Sequence, residues 1–165
     1  MRLMRQELAA DRAGAAEDDA VLHAEPIVGY TAGTFDMFHI GHLNLLRRAR
    51  SSCDRLIVGV STDELVMQHK GKIPVLPFEE RLEIVRAVRY VDEVVLQESM
   101  DKLLAWERVR FDRLFVGDDY RGSAMWARFE SEFPRLGVEI MYFPYTAHTS
   151  STLLRERLLD LPATG

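Results

Sequence analysis

The sequence predicts an α/β domain in which a parallel sheet carries helices on both of its faces. Short apolar runs alternate with segments of helical periodicity from Pro26 onward. The runs Arg55–Val60 and Arg113–Val116 are apolar after their first residue, which is typical of strands buried on both faces. Strict alternation of strands and helices implies parallel strands joined by right-handed crossovers. We therefore predict a single Rossmann-like domain with a five-stranded parallel sheet.

The individual elements follow from periodicity and from turn signals. Leu43, Leu46 and Ala49 share one face of the first helix, and an apolar residue recurs with helical spacing from Phe78 to Val88. We predict strands over residues 26–32, 55–60, 93–96, 113–116 and 138–143. We predict helices over residues 43–50, 78–88, 99–110, 123–133 and 150–159. The polar residues 61–77 are predicted to form a loop.

Length and composition define the domain organisation. A chain of 165 residues with 47% hydrophobic residues is large enough for one well-filled domain. Residues 1–25 are rich in alanine and acidic residues, with a cluster at Glu17, Asp18 and Asp19 and no pattern of buried strands. We predict a mobile N-terminal extension over residues 1–25 and a domain over residues 26–165.

Charge and hydropathy exclude several classes of function. The formal net charge of −5 argues against a nucleic-acid-binding surface, which is normally basic. No apolar run approaches the roughly 20 residues that span a bilayer, and the N-terminus lacks the apolar centre of a signal peptide. The single cysteine, Cys53, excludes an internal disulfide framework. We expect a cytoplasmic protein that binds neither nucleic acid nor membrane.

The segment Gly33–His42, with the sequence GTFDMFHIGH, lies between the first predicted strand and the first predicted helix. A helix N-terminus presents unpaired N–H groups and the positive end of the helix dipole, so it suits a phosphate. His39 and His42 are three residues apart and can face the same ligand, and Gly41 lets the backbone approach closely. This segment predicts a site for nucleotide phosphates.

Further polar segments follow the other strands. In parallel α/β sheets, ligands bind beyond the carboxyl ends of the strands, where these loops converge. Ser61–Glu64 leads from the second strand to the basic segment 69–72, and Gly117–Asp119 follows the fourth strand. The hydroxyl-rich segment 145–152 follows the fifth strand. The clustering of these segments at one edge of the sheet predicts a single site.

Taken together, these motifs resemble the cytidylyltransferase branch of the nucleotidyltransferase superfamily, and most closely the glycerol-3-phosphate cytidylyltransferases. The resemblance covers about residues 27 to 158, in the order of the family. The matching segments are Gly33-Thr34-Phe35-Asp36, His39-x-Gly41-His42, Ser61-Thr62-Asp63-Glu64, Arg89-Tyr90-Val91-Asp92-Glu93-Val94, Gly117-Asp118-Asp119 and Ser150-Ser151-Thr152.

The resemblance implies a reaction. In this family a substrate phosphate attacks the α-phosphorus of a nucleoside triphosphate and expels pyrophosphate, so catalysis consists mainly of positioning and electrostatic stabilisation. It implies CTP as donor, a phosphorylated alcohol such as glycerol 3-phosphate as acceptor, and a homodimer. Mg²⁺ is expected with the triphosphate, without an all-protein metal site. ATP remains open as donor, because related adenylyltransferases share the histidine motif.

The resemblance also implies roles for individual residues. The catalytic residues would be His39, His42 and Lys72, and the acceptor would contact Lys70, Asp36 and Arg89. The nucleotide would contact Thr34, Phe35, His39, Gly41, His42, Lys72, Asp119, Thr146, Ser150, Ser151 and Thr152. A phosphate favours protonated imidazole, so the two histidines are expected to act as cations or proton donors.

Several of these assignments have alternatives. A structural role for Asp36, in bracing its turn, is as consistent with the sequence as contact with the acceptor. The alignment of Lys70 and Lys72 with the lysine pair of the family requires one inserted residue, so it can shift by one position. Asp119 suits the nucleotide ribose, the base or a metal-bound water. The segment that begins at Arg89 is near a dimer interface in the family, so it fits a subunit contact as well as catalysis.

The chain departs from the family before the last helix. Relatives carry Arg-Thr-Glu-Gly there, whereas this chain has Tyr145, Thr146, Ala147 and His148. The change removes a permanent cation and a carboxylate from the nucleotide-binding loop. Two hypotheses remain, an active nucleotidyltransferase and a binding or regulatory protein that has lost turnover. Retention of both histidines and both lysines favours the enzyme. A fragment of an aminoacyl-tRNA synthetase is disfavoured, because the chain is short and acidic and lacks a matching lysine-serine loop.

Overall fold

The computed structural model describes residues 25–144, 146 and 149–160. A five-stranded sheet forms the centre of this part of the chain, and all four strand pairs are parallel. The strands are β1 (Val28–Gly33), β2 (Arg55–Ser61), β3 (Glu93–Gln97), β4 (Arg113–Gly117) and β5 (Glu139–Phe143). Their order in the sheet is β3-β2-β1-β4-β5. The predicted five-stranded Rossmann-like sheet is confirmed.

Six α-helices are present in the described residues. They are α1 (Ile40–Arg50), α2 (Asp63–Lys70), α3 (Phe78–Arg86), α4 (Lys102–Val109), α5 (Ala127–Glu132) and α6 (Ser151–Leu159). Short 3-10 helices span Asp118–Tyr120 and Phe133–Leu136. No helix in this part of the chain is both long enough and apolar enough to cross a bilayer.

The two faces of the sheet carry separate apolar cores. On one face Leu103 of α4 and Phe129 of α5 belong to the cluster that contains Tyr30 of β1. On the other face Leu46 of α1 and Val85 of α3 belong to a second cluster. Burial of apolar side chains on both faces is the main favourable contribution to such a fold. The predicted placement of helices on both faces is confirmed.

The strand order determines where a ligand can bind. β1 lies at the centre of the sheet, and the chain moves to one side of β1 for β2 and β3 and to the other side for β4 and β5. The loops that follow β1 and β4 therefore diverge and leave a crevice at their carboxyl ends. The segment that begins at Thr34 lies at this crevice.

Two elements differ from the prediction by more than three residues, and the other helix and strand ends differ by three residues or fewer. Residues 61–77 contain α2, because the Thr62 side chain accepts a hydrogen bond from the Leu65 N–H (3.2 Å) and Gly71 ends the helix with a φ of 63°. A short polar helix of this kind shows little apolar periodicity. The helix predicted over residues 123–133 begins only at Ala127 and continues as a 3-10 helix that contains Pro134. The proposed extension, apart from Glu25, lies outside the described residues.

A buried arginine joins the segments at the carboxyl edge of the sheet. The Arg81 side chain on α3 is completely buried. Its guanidinium pairs with the Asp63 carboxylate at 2.6 Å. It also donates to three carbonyl oxygens, those of Thr34 (2.5 Å), Ser61 (2.8 Å) and Leu76 (3.0 Å). One side chain thus connects the ends of β1 and β2 with α2 and with the loop before α3.

We predict that Arg81→Met lowers the free energy of unfolding by about 3–5 kcal/mol, because it removes a buried guanidinium and leaves three carbonyl oxygens and the partly exposed Asp63 carboxylate without their donor. Urea unfolding followed by circular dichroism measures this loss. Arg86→Met is the matched control, since Arg86 lies on the same helix in an exposed pair with Glu83. The control is expected to lose less than about 1 kcal/mol. Equal losses for the two variants contradict the role of Arg81.

Candidate active site

A cleft of about 390 Å³ lies at the carboxyl ends of β1 and β4. Every site residue predicted from the sequence lines this cleft except Arg89. The lining residues that were predicted are Thr34, Phe35, Asp36, His39, Gly41, His42, Lys70, Lys72, Asp119, Thr146, Ser150, Ser151 and Thr152. The structure therefore brings together residues from four separate segments, three of which directly follow β1, β4 and β5, while the fourth lies at the end of α2.

His39 and His42 form a capping box at the start of α1. The His39 Nδ1 accepts from the Gly41 N–H at 3.0 Å, and the His42 Nδ1 accepts from the His39 N–H at 3.4 Å. The two rings stack with their centroids 3.9 Å apart. An imidazole whose Nδ1 accepts carries its proton on Nε2 when it is neutral. The hydrogen bonds therefore assign Nε2–H to both rings and leave that group available to a ligand.

Gly41 is required by the capping geometry of the histidines. A Cβ at this position would lie 2.8 Å from Cε1 of the His39 ring, which is closer than real Cβ contacts. Any larger residue would therefore displace the ring that caps α1.

Burial keeps the two imidazoles neutral in the free protein. Burial is the main cause that lowers the pKa of His42 to about 3, and repulsion from the charged form of His39 and from Lys70 adds to it. Burial also lowers the pKa of His39. The cationic imidazoles expected from the sequence are therefore not the state of the ligand-free site at neutral pH. A bound polyphosphate would act in the opposite direction, because nearby negative charge raises the pKa of an imidazole.

The turn between β1 and α1 has an unusual backbone. Phe35 has a φ of 53° and Met37 a φ of 47°, in the left-handed region that costs free energy for residues other than glycine. Phe35 is 2% exposed, and its ring lies 5.2 Å from the His42 ring. The surrounding contacts hold this turn in place, since Arg81 binds the carbonyl of Thr34.

Asp36 braces the cleft. Its buried carboxylate accepts from the N–H groups of Val75 (2.9 Å) and Leu76 (3.0 Å) and from the Arg155 guanidinium (3.2 Å). Burial acts to raise the pKa of Asp36, but these hydrogen bonds and the charge of Arg155 outweigh it and lower the pKa. These contacts favour a structural role for Asp36 over contact with the acceptor. The carboxylate links the loop after β1 to the loop before α3 and to α6.

Lys70 and Lys72 add positive charge to one wall of the cleft. The Lys70 ammonium donates to the Thr34 Oγ1 at 3.0 Å. Burial, and then the charge of Lys72, lowers the pKa of Lys70. Neither lysine has an ion-pair partner among the described residues. Two close ammonium groups without a counter-ion favour an anionic ligand.

The loops after β4 and β5 complete the cleft. Gly117 permits the position of Asp119, because a Cβ on Gly117 would lie 2.4 Å from the Asp119 Oδ1. The Ser150 hydroxyl caps α6 by accepting from the Leu153 N–H at 3.1 Å. The Ser151 hydroxyl donates to the Asp36 carbonyl at 2.6 Å. The Ser150 hydroxyl thus stabilises the start of α6, and the Ser151 hydroxyl joins it to the loop after β1. The variant residues 145, 147 and 148 lie outside the described residues.

The structure does not bring Arg89 to the cleft. Arg89 precedes β3 and so lies toward the amino ends of the strands, whereas the cleft lies at their carboxyl ends. Its guanidinium donates to the Tyr90 hydroxyl (2.9 Å) and stacks over that ring. Within one chain, this position does not fit the assigned contact with the acceptor.

Four residues that the sequence reasoning missed take part in the site or support it. They are Arg81, Gln97, Lys102 and Arg155. Gln97 is the last residue of β3. The expectation that ligands bind beyond the carboxyl ends of parallel strands could have identified it. The two arginines lie in helices that also carry exposed charges, and no sequence signal separates them from surface residues. Lys102 follows an N-cap aspartate, where a solvent-exposed lysine is the usual expectation.

The described residues hold no group of three or more histidine, cysteine, aspartate or glutamate side chains that could bind a metal ion. Asp119 lines the cleft, and its carboxylate makes no hydrogen bond beyond its own turn in this part of the chain. Asp36 is already bound by two N–H groups and by Arg155. A metal ion in this cleft would therefore take most of its ligands from a substrate and from water.

The family model for cytidylyltransferase-like proteins matches residues 30–157. The chain is 34% identical to the glycerol-3-phosphate cytidylyltransferase of Bacillus subtilis, over 79% of this chain and 96% of that protein. It is 36% identical to the FAD synthase of Pyrococcus abyssi, over 68% of this chain and 77% of that protein.

Two further relatives extend this comparison. The chain is 41% identical to the ethanolamine-phosphate cytidylyltransferase of Arabidopsis thaliana over 58% of its length, but it spans only 24% of that relative. A lipopolysaccharide core biosynthesis protein from Thermoplasma volcanium has a similar structure, with a TM-score of 0.62 and 25% identity, covering 75% of this chain and 99% of that one. Because the family match includes all of the strands and loops that build the cleft except the start of β1, the chain belongs to the cytidylyltransferase-like family and is a nucleotidyltransferase.

Proposed function

We propose that this protein transfers CMP from CTP to a phosphorylated alcohol, such as glycerol 3-phosphate, and releases pyrophosphate. The observation that carries the proposal is the convergence, in one cleft, of two imidazole Nε2–H donors at the start of α1 and two ammonium groups that have no ion-pair partner among the described residues. The choice of CTP is supported by the similarity to the Bacillus subtilis glycerol-3-phosphate cytidylyltransferase, of which the chain covers 96%.

The capping box prepares the histidines for this reaction. As an oxygen of the acceptor phosphate bonds to the α-phosphorus, the bond from that phosphorus to the bridging oxygen breaks and pyrophosphate leaves. Negative charge then increases on the leaving oxygen and persists on the equatorial oxygens. Each Nε2–H can donate to these oxygens without reorientation, since each Nδ1 is already engaged by a backbone N–H.

The lysines and the helix terminus supply the remaining positive charge. The N-terminus of α1 adds backbone N–H groups and the positive end of its dipole at the same place. Lys72 then neutralises the transferring nucleotide, and Lys70, held beside Thr34, approaches the acceptor phosphate. This arrangement brings two anionic substrates together, which is the main electrostatic obstacle to the reaction.

Mg²⁺ accompanies the triphosphate in this proposal. When bound, it neutralises phosphate charge and orients the leaving pyrophosphate. The Asp119 carboxylate is placed to bind the nucleotide ribose or base, or a water on the ion. The carboxylate of Asp36 is not suited to act as a metal ligand, because its oxygens already accept hydrogen bonds from backbone N–H groups and from Arg155.

Two other functions remain as alternatives. An adenylyl transfer from ATP to a phosphorylated small molecule is supported by the similarity to a protein named FAD synthase, of which the chain covers 77%. A nucleotide-binding regulatory protein with weakened catalysis is suggested by Tyr145, Ala147 and His148, which replace the arginine, glutamate and glycine of the family.

We also propose a homodimer in the cytoplasm. The exposed Arg89 lies between α3 and β3, which carry the exposed apolar residues Ile84 and Leu96. These residues are suited to a subunit contact, in agreement with the position of this segment in the family. The net charge of −5 supports the expectation that the protein does not bind nucleic acid or an anionic membrane surface.

We predict that His42→Ala lowers kcat for pyrophosphate release at least about a hundredfold, because it removes a donor to the transition state. His42→Asn is the matched control for folding, since an amide oxygen can still accept from the His39 N–H while Nε2–H is lost. Both variants are expected to lose activity, and His42→Asn is expected to keep the wild-type unfolding midpoint. An unchanged rate in either variant contradicts the assigned role.

We further predict that CTP gives the highest kcat/KM among CTP, ATP, GTP and UTP when each is tested with a panel of phosphorylated alcohols. Pyrophosphate release measures the rate for every pair, and calorimetry measures nucleotide binding separately. Faster release with ATP supports the adenylyltransferase. Nucleotide binding without release for any pair supports the regulatory protein.

A further inference from the structure

Lys102 is a buried cation that lines the cleft without a partner. It is the first residue of α4, and only 6% of its surface is exposed. Its ammonium group has no ion pair with the residues that the structure describes, and its Nζ is not fully enclosed, so it keeps a small exposed area. The side chain nevertheless belongs to the wall of the same cleft as the histidines.

This placement is unfavourable for the protein alone. A largely buried ammonium group without an ion-pair partner loses most of its hydration, and a cation in the first turn of a helix is repelled by the positive end of the helix dipole. The neighbouring Asp101 compensates only in part: its charge raises the pKa of Lys102, but its carboxylate forms its hydrogen bond with the Leu103 N–H (3.0 Å) and its ion pair with Arg128 (3.2 Å). Burial lowers the pKa of Lys102 to about 8, so the ammonium form still predominates at neutral pH.

Lys102 lies on the opposite side of the sheet from the histidines. The histidines begin α1, which contributes Leu46 to one core, whereas Lys102 begins α4, which contributes Leu103 to the other core. The cleft therefore crosses the carboxyl edge of the sheet and has a polar group at each end. Gln97 is on the Lys102 side, where its side-chain oxygen accepts from the Tyr30 hydroxyl at 3.4 Å.

We propose that Lys102 binds a second anionic group of the acceptor, a carboxylate or a phosphate that is distinct from the phosphate that reacts. The proposal rests on the proposed transfer to a phosphorylated alcohol and narrows the acceptor class to alcohols with an additional negative charge. An anion would supply the partner that the buried ammonium lacks, through a charge-assisted hydrogen bond. An acceptor with a cationic end, such as phosphoethanolamine, would be repelled by the same group.

Three acceptors of similar size test the proposal. They are 3-phosphoglycerate, which carries a carboxylate, glycerol 3-phosphate, which carries a neutral diol, and phosphoethanolamine, which carries an ammonium group. The wild-type protein is assayed with CTP and Mg²⁺. Its kcat/KM for 3-phosphoglycerate is expected to be at least about tenfold higher than for glycerol 3-phosphate, because one additional hydrogen bond between charged groups has an effect of this size. Phosphoethanolamine is expected to be the poorest acceptor.

Lys102→Met removes the charge with little change in volume. This variant is expected to lower kcat/KM for 3-phosphoglycerate at least about tenfold more than kcat/KM for glycerol 3-phosphate, and so to abolish the preference, while kcat/KM for phosphoethanolamine rises relative to both. Its melting temperature is expected to equal or exceed that of the wild type, because an uncompensated buried charge is lost. Lys102→Gln provides a second neutral variant should Lys102→Met not fold.

Arg108→Met is the control on the same helix. Arg108 is exposed and pairs with Glu98 outside the cleft. The control is expected to keep the wild-type order and ratios of the three acceptors. If the control changes these ratios as much as Lys102→Met does, the effect arises from the net charge of the protein and the proposal is overturned.

Binding measurements separate this proposal from the proposed function. If no acceptor supports pyrophosphate release, the proposed function fails, and calorimetric titration with 3-phosphoglycerate still tests the site. Affinity at least about tenfold higher in the wild type than in Lys102→Met supports the site at Lys102. Equal affinities, or a wild-type protein that does not prefer 3-phosphoglycerate to glycerol 3-phosphate in either assay, overturn it.

Discussion

The buried guanidinium of Arg81 holds together the segments from which the cleft is built. Its ion pair with Asp63 and its hydrogen bonds to the carbonyls of Thr34 and Ser61 fix the ends of β1 and β2 relative to α2. Asp36 continues this network by binding the loop before α3 and, through Arg155, the last helix. The positions of the ligand-facing groups therefore depend on a few charged contacts inside the protein, beneath the surface that a substrate meets.

This internal network allows the cleft to keep several cations that have no ion-pair partner among the described residues. Lys70 and Lys72 repel one another, Lys102 is buried, and the two imidazoles stay neutral because burial opposes their protonation. Each of these features is unfavourable for the free protein and becomes favourable when phosphates enter. A polyphosphate would offset the repulsion between the lysines and stabilise protonated imidazole. Part of the binding free energy of an anionic substrate thus comes from relief of the unfavourable interactions in the empty cleft.

The sequence was sufficient to predict the sheet, every helix of the described residues except α2, and the edge at which the cleft lies, because buried strands and the polar segments after them have strong local patterns. It did not reveal Arg81, since an arginine among Glu79, Glu80 and Glu83 has the pattern of a solvent-exposed helix. Its burial follows from the packing of α3 over the strand ends, which is a tertiary property. Lys102 was missed for the same reason. Arg89 was assigned to the site by resemblance alone, and the position of its segment before β3 separates it from the cleft.

The most direct test of the account is the protonation state of His42, measured by ¹⁵N-detected nuclear magnetic resonance with His42→Asn for assignment. In the free protein we expect the neutral Nε2–H tautomer at all pH values above 5, in agreement with a pKa lowered to about 3. Adding CTP and Mg²⁺ should shift the Nε2 resonance and raise this pKa. A His42 that titrates near its ordinary pKa of 6.5, or carries its proton on Nδ1, or does not respond to CTP, contradicts the assigned role of the capping box.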